Sequence, residues 1–334
     1  MQDNLAIELT KYCDKACLHC GSDAKFTRKA DTESMTVETA TEIIKQVAEI
    51  NASKHMKRIR TVHLTGGEPV IWRDKRHRIG FLIKAIQEAG IEPQILTSST
   101  HLTDKGYKRY MQGVESMQGL QPFDVFHSFN LYMVGVPINT RLKHTIPLFD
   151  EVFGPDRALG FFGVYDRSNR GATLDTFEAL RTNLGFRRLK NRGTRNHRKV
   201  SKEGEAITLY YTNGEKIADV EFSSVDGSGG RSRKAGLKPV RAVRECYILD
   251  ENGEGMQPVI GNNGEVYPCW AGPFPSSRPI GNIHTTPLAT ILKREPAYLE
   301  AFRACVEADH NPRTDICRFC SDVSKECLGY QFRK

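Results

Sequence analysis

Cys13-Asp-Lys-Ala-Cys17-Leu-His-Cys20 sets three thiols on a loop of eight residues. Soft sulfur donors at this spacing suit zinc or an iron-sulfur cluster. Three thiolates fall one short of a closed four-sulfur site, so a cluster bound here keeps one iron open to an outside ligand. The spacing alone also accommodates a zinc site completed by a distant fourth ligand, or three unrelated buried thiols.

On either side of this loop the chain alternates between two periodicities. Residues 5–9 read as a strand, and residues 36–50 as an amphipathic helix with Val37, Ile43, Ile44, Val47 and Ile50 near helical spacing. A strand at 60–64 then runs into Gly66-Gly67. Helices follow at 79–89, 103–117 and 173–184, and strands at 93–96, 124–130, 159–164 and near 206–220. Strands alternating with helices predict an α/β fold, a parallel sheet of about six strands with crossover helices. The glycine-rich run Asp226-Gly-Ser-Gly-Gly-Arg-Ser-Arg-Lys-Ala-Gly reads as a linker, a phosphate-binding loop or a structured turn. It places a boundary near 235, dividing the chain into 1–235 and 236–334.

Composition narrows the class. With 334 residues, 39% apolar and 26% charged, the chain can bury a full core, and no apolar run approaches the ~20 residues of a membrane span. The first ten residues lack the pattern of a secretion signal and begin directly in the first strand. Nine cysteines, an odd number concentrated at the two ends, fit metal or cluster ligation in a reducing cytoplasm better than a disulfide framework. Part of the net charge of +8 is local, because residues 181–200 carry eight Lys or Arg and no acid. Such a stretch serves either as a solvated loop or as a binding surface for phosphate, nucleic acid or acidic peptide. The chain lacks the interleaved aromatics of a base-stacking surface, which argues against a nucleic-acid-binding module.

Thr65-Gly66-Gly67-Glu68-Pro69 ends the second predicted strand, where two glycines admit close approach to the backbone and a carboxylate follows at once. Ser128 and Asn130, two apart at the end of the fourth strand, share a face and can hydrogen-bond a ribose; Thr97, Ser98 and Ser99 after the third strand compete for that role.

Together the C-x3-C-x2-C loop and the Gly-Gly-Glu-Pro element resemble the radical S-adenosylmethionine (radical SAM) enzymes. The resemblance implies a partial (β/α)6 TIM-like barrel with its chemistry at the C-terminal ends of the strands. It implies a 4Fe-4S cluster on Cys13, Cys17 and Cys20, whose open iron holds S-adenosylmethionine. The cofactor's amino group falls to Gly66, Gly67, Glu68 and Pro69, its ribose to Ser98, Ser128 and Asn130, and its adenine to His19.

Six more cysteines lie downstream, in Gly264-Glu-Val-Tyr-Pro-Cys269, Cys317-Arg-Phe-Cys320, and at Cys246, Cys305 and Cys327; Ile280-Gly-Asn-Ile283 accompanies them. These resemble the SPASM/twitch extension of the same enzymes. A full SPASM domain continues from Cys-x2-Cys through Cys-x5-Cys-x3-Cys, whereas here six residues separate Cys320 from Cys327 and no cysteine follows. The resemblance therefore implies one auxiliary 4Fe-4S cluster on Cys246, Cys269, Cys317 and Cys320. A zinc ribbon is the alternative. Cys305 and Cys327 are each left as a buried thiol or as a ligand or hydrogen-atom donor, Cys327 being the favoured candidate for the second role.

The implied activity is reductive cleavage of S-adenosylmethionine to a 5'-deoxyadenosyl radical that takes a hydrogen atom from a substrate. The expected reaction is dehydrogenation or epimerisation of a small polar, sugar-, nucleotide- or natural-product-like molecule, because the chain begins at the first barrel strand and leaves no room ahead of it for a peptide-recognition domain. Radical modification of a peptide is the alternative, and a non-catalytic iron-sulfur or zinc protein binding nucleic acid a remote one. The expected partners are the substrate and a reductant such as flavodoxin or ferredoxin.

Overall fold

Leu5, Ile7 and Leu9 alternate with Ala6, Glu8 and Thr10 along β1 (Asn4–Thr10), so one face of the strand is aliphatic and the other turns polar toward its end. The computed structural model describes residues 3–15, 17, 20, 24, 27, 33–99, 104–130, 138–153, 159–165, 172, 175–176, 178–179, 182, 187–188, 207–212, 217–224, 257–269 and 279–308. The remaining long strands are β2 (Thr61–Gly66), β3 (Glu92–Thr97), β4 (Asp124–Asn130) and β5 (Leu159–Tyr165). Beyond them come β6 (Arg187–Arg188), β7 (Ile207–Thr212), β8 (Ile217–Ser224), β9 (Val259–Ile260), β10 (Glu265–Tyr267) and β11 (Gly281–Asn282). All join one sheet in the order β11-β10-β9-β1-β2-β3-β4-β5-β8-β7-β6. From β1 through β5 to β8, six neighbouring strands run parallel. The sheet is that of a partial barrel.

Register carries the division of faces across the sheet. Ala6 pairs with His63 and Glu8 with Thr65, His63 with Gln94, and Leu96 with Phe126. Those positions form the inner face. The outer face, with Leu5, Ile7, Leu9, Val62, Leu64, Ile95 and Val125, packs into one apolar core with the helices. Four of these are crossover helices: α1 (Val37–Ala52), α2 (Ile79–Glu88), α3 (Asp104–Glu115) and α4 (Ile138–Phe153). Val37, Ala40, Ile43, Ile44, Val47 and Ile50 form the buried stripe of α1. Thr36 caps that helix, its hydroxyl accepting from the Thr39 N–H at 3.2 Å.

Three features depart from the sequence reading. The strand expected near 206–220 is a hairpin, since β7 pairs antiparallel with β8 and only β8 runs parallel to β5. Asn213-Gly214 between them is a hairpin-turn signal that a single-strand reading passes over. The sequence reading assigns nothing between 130 and 159, where α4 lies; Pro147 inside that helix breaks its pattern. Finally, β9 pairs parallel with β1, Ala6 opposite Val259 and Ile7 opposite Ile260, so the C-terminal segment extends the barrel sheet. Helices α5 (Leu288–Leu292) and α6 (Glu295–Ala308) place Leu288, Ile291, Tyr298 and Phe302 in the same core.

The helix expected at 173–184 is described only in part, being helical at 172, 175–176, 178–179 and 182. The boundary near 235 lies outside the described residues. Among the described residues no helix is long and apolar enough to cross a membrane.

Candidate functional site

Two backbone hydrogen bonds seat the end of β2 against the start of the cysteine loop. Gly67 N–H donates to Thr10 O at 2.6 Å and Glu68 N–H to Tyr12 O at 3.0 Å. The chains approach so closely that a Cβ on Gly67 would lie 2.3 Å from Tyr12 O. At Gly66 it would lie 2.5 Å from Thr10 O, and φ there is +123°. Both glycines are thus required by packing between two segments of this protein. From the sequence alone they read as admitting close approach of a ligand to the backbone.

Glu68 is fully buried, and its carboxylate is held from several sides. Oε1 accepts from the Thr97 hydroxyl at 2.8 Å and from Val70 N–H at 3.3 Å. Oε2 accepts from Ser98 N–H at 2.9 Å and from the Ser98 hydroxyl. The Lys15 ammonium, also sealed from solvent, stands 3.5 Å from Oε2 and 3.0 Å from Asp14 Oδ1. Burial opposes the charge on Lys15, yet Glu68, Cys13 and Asp14 hold its pKa above the ordinary lysine value. A carboxylate offers about four acceptor positions. A cofactor ammonium reaching Glu68 would have to share it with, or displace, Lys15. The Ser98 side chain, a candidate ribose contact in the sequence reading, is engaged by Glu68.

Cys13 and Cys17 are buried and Cys20 is half-buried. The loop turns through Cys20 N–H to Cys17 O at 3.2 Å, and Ala24 N–H donates to Cys20 Sγ at 3.4 Å. Burial pushes the Cys13 thiol up to about 12, with Lys15 pulling the other way. Among the described residues no three His, Cys, Asp or Glu side chains converge as one ion requires. The three sulfurs are separate soft donors on one loop, a set that fits the separate irons of a cluster.

Sequence reasoning missed the residues that brace this loop. Tyr12 is 3% exposed and carries the Arg109 guanidinium 4.5 Å above its ring centroid. Tyr110, next on α3, brings its hydroxyl 3.2 Å from Thr97 Oγ1. On the outer face of β4, His127 Nδ1 lies 2.5 Å from Ser99 Oγ, at a residue whose φ is +54°. The one available signal was Lys15 itself, a charge between two cysteines; nothing in the pattern of α3 singled out Arg109.

On the inner face, Glu8 is 2% exposed. Oε1 pairs with Lys11 Nζ at 2.9 Å, whereas Oε2 has no hydrogen-bond partner among the described residues. Burial raises its pKa despite Lys11. His63, one register step along, is pushed down to about 4 by burial. Tyr267 on β10 donates to Glu265 Oε2 at 2.6 Å, and burial, that bond and the charges of Glu265 and Glu8 raise its pKa.

Ser128 is buried on β4, Pro69 opens a short 3-10 turn, and Cys269 is half-buried just beyond β10. The side chains of Asn130 and Cys305 lie outside the described residues, as do His19, Cys246, Cys317, Cys320, Cys327 and most of the basic segment 181–200.

The profile of the radical SAM superfamily matches residues 7–119, and that of SPASM, an iron-sulfur cluster-binding domain, residues 252–321. The chain carries a radical SAM domain followed by a SPASM domain. The radical SAM domain implies an enzyme of radical chemistry with a 4Fe-4S cluster and S-adenosylmethionine, and the SPASM domain implies auxiliary iron-sulfur clusters. Solved structures of SuiB from Streptococcus suis share the fold. SuiB bound to its precursor peptide SuiA is 13% identical with a TM-score of 0.54, over 89% of this chain and 66% of that one. SuiB bound to S-adenosylmethionine is 15% identical with a TM-score of 0.51, over 89% and 67%. This radical SAM chain thus spans about two thirds of the length of the structures it matches. No curated protein sequence matches it.

Proposed function

We propose that this radical SAM enzyme reductively cleaves S-adenosylmethionine and uses the 5'-deoxyadenosyl radical to take a hydrogen atom from a small polar substrate, in a dehydrogenation or epimerisation. The observation that carries the reading is the pair of backbone bonds from Gly67 and Glu68 to Thr10 and Tyr12, which brings the cysteine loop and a buried carboxylate together. In this reading Cys13, Cys17 and Cys20 hold the cofactor's cluster, and Glu68 offers its charge to the cofactor ammonium. Ser128 and Asn130 take the ribose and His19 the adenine. Cys246, Cys269, Cys317 and Cys320 hold one auxiliary cluster, and Cys327 supplies a hydrogen atom if the reaction is an epimerisation. The protein's task is to bind, orient and exclude water, while bond cleavage belongs to the cofactor.

The test is formation of 5'-deoxyadenosine by anaerobically reconstituted protein with dithionite. Wild type should form it, and Cys13→Ala, Cys17→Ala and Cys20→Ala should not; cleavage surviving in those variants sinks the site assignment. Epimerisation in deuterated buffer leaves deuterium at one product carbon and stops with Cys327→Ala, whereas dehydrogenation gives an oxidised, unlabelled product.

A second reading, modification of a peptide, is favoured by the fold shared with SuiB, a protein solved with a precursor peptide. Incubation with peptides and with polyols, each scored for stimulated cofactor cleavage, separates the two.

A further inference from the structure

Glu68 meets more donors than a carboxylate has places for. The Thr97 hydroxyl and Val70 N–H donate to Oε1, while Ser98 N–H, the Ser98 hydroxyl and the Lys15 ammonium all converge on Oε2. Among the described residues five donors thus face about four acceptor positions, so a further ammonium enters only where one of the five gives way.

The five are not equally held. Val70 and Ser98 donate from the backbone, one in the turn after Glu68 and one just past β3, and cannot withdraw unless the chain moves. The Thr97 hydroxyl is braced from behind, accepting from Ser99 N–H at 3.1 Å and standing 3.2 Å from the Tyr110 hydroxyl. The Ser98 hydroxyl is neutral and does not repel a cation. Lys15 differs on three counts. Its contact with Oε2 is the longest of the five at 3.5 Å, a second acid, Asp14, lies closer at 3.0 Å, and it alone has the same charge as an incoming ammonium. The side chains of Lys15, Asp14 and Glu68 are at most 1% exposed, so little water screens one ammonium from another.

We propose that Lys15 is a stand-in for the cofactor ammonium: it occupies Glu68 while the cofactor is absent, and it releases Glu68 while keeping Asp14 when the cofactor binds. The inference rests on the assignment of Glu68 to the cofactor ammonium made above. Such a stand-in keeps a sealed carboxylate paired in the empty site. It also sets the affinity for the cofactor by competition, because each binding event must displace a like charge.

The experiment measures, by calorimetry on anaerobically reconstituted enzyme, the affinities of S-adenosylmethionine and of 5'-methylthioadenosine, which has the adenosyl half and no ammonium. Lys15→Met removes the competitor, so it should bind S-adenosylmethionine about tenfold more tightly than wild type, with the affinity for methylthioadenosine unchanged. Lys15→Gln, which keeps a hydrogen-bond donor and drops the charge, should shift the same way. Saturating S-adenosylmethionine should also raise the urea midpoint of Lys15→Met by more than that of wild type, because the cofactor pairs the carboxylate that the substitution strands. The readout is the ratio of the two affinities, which a general loss of folding does not move. A ratio equal to or below that of wild type in both Lys15 variants overturns the proposal. If Glu68→Gln binds S-adenosylmethionine as tightly as wild type, the assignment of Glu68 to the cofactor ammonium is what fails. If Glu68→Gln binds it more weakly and the Lys15 variants bind it no more tightly, that assignment stands and the stand-in role fails.

Discussion

Lys15 and Glu68 form an ion pair across 53 residues of sequence, Nζ 3.5 Å from Oε2, with both side chains closed off from water. It ties the cysteine loop to the Gly66–Pro69 element by charge where Gly67 and Glu68 tie it by backbone. Removing one partner of such a pair strands the other. Lys15→Met should therefore lower unfolding stability by about 3 kcal/mol. The check is a lower urea midpoint with an unchanged slope.

Gly67→Ala drives a methyl group into Tyr12 O, which no rotamer relieves. The cysteine loop should then lose its seat. Reconstituted wild type should carry about eight irons, four for each of two clusters, and Gly67→Ala about four. Cys269→Ala should also fall to about four while retaining cofactor cleavage. Eight irons in Gly67→Ala would show that the loop holds its cluster without this contact.

In iron-free protein the Cys13 thiol, pushed up to about 12 by burial, should react slowly with iodoacetamide at pH 8. Half-buried Cys20 should be labelled at least about tenfold faster. Peptide mass spectrometry reads the order, and urea should abolish the difference.

Two neighbours on the inner wall should give opposite pH slopes. His63 is held down to about 4, so between about 6.5 and 4 the unfolded chain takes up a proton that the native one refuses. Stability falls with acidification over that window, and His63→Gln should flatten the fall. Glu8 is raised above its ordinary 4.5, so its ionised form is a burden near neutrality that acidification relieves. Glu8→Gln should stabilise the protein at pH 7, the gain shrinking as the pH is lowered. Denaturant titrations of both variants from pH 4 to 8 test both signs.

Much of the barrel was legible because its elements are locally self-consistent. Val37 to Ile50 marks α1 by spacing, with Thr36 as its cap, and the first five parallel strands appear near their expected places. What local pattern cannot carry is pairing at a distance. Val259 and Ile260 are two residues, too short for a periodic signal, yet they continue the sheet beyond β1. Within the site, the cysteines and Glu68 stand out by type and spacing. Lys15, Arg109 and Tyr110 matter through where α3 and the loop deliver them, which spacing does not encode.

The pairing of β9 with β1 bears on how the protein is made. Until residue 260 has left the ribosome, the strand leading into the cysteine loop has a bare edge, its backbone groups awaiting partners some 250 residues away. Closing so large a loop is slow, and the waiting edge is open to mispairing with other chains. A chain cut short before Val259 would keep that edge bare, and with it a template for association with other chains.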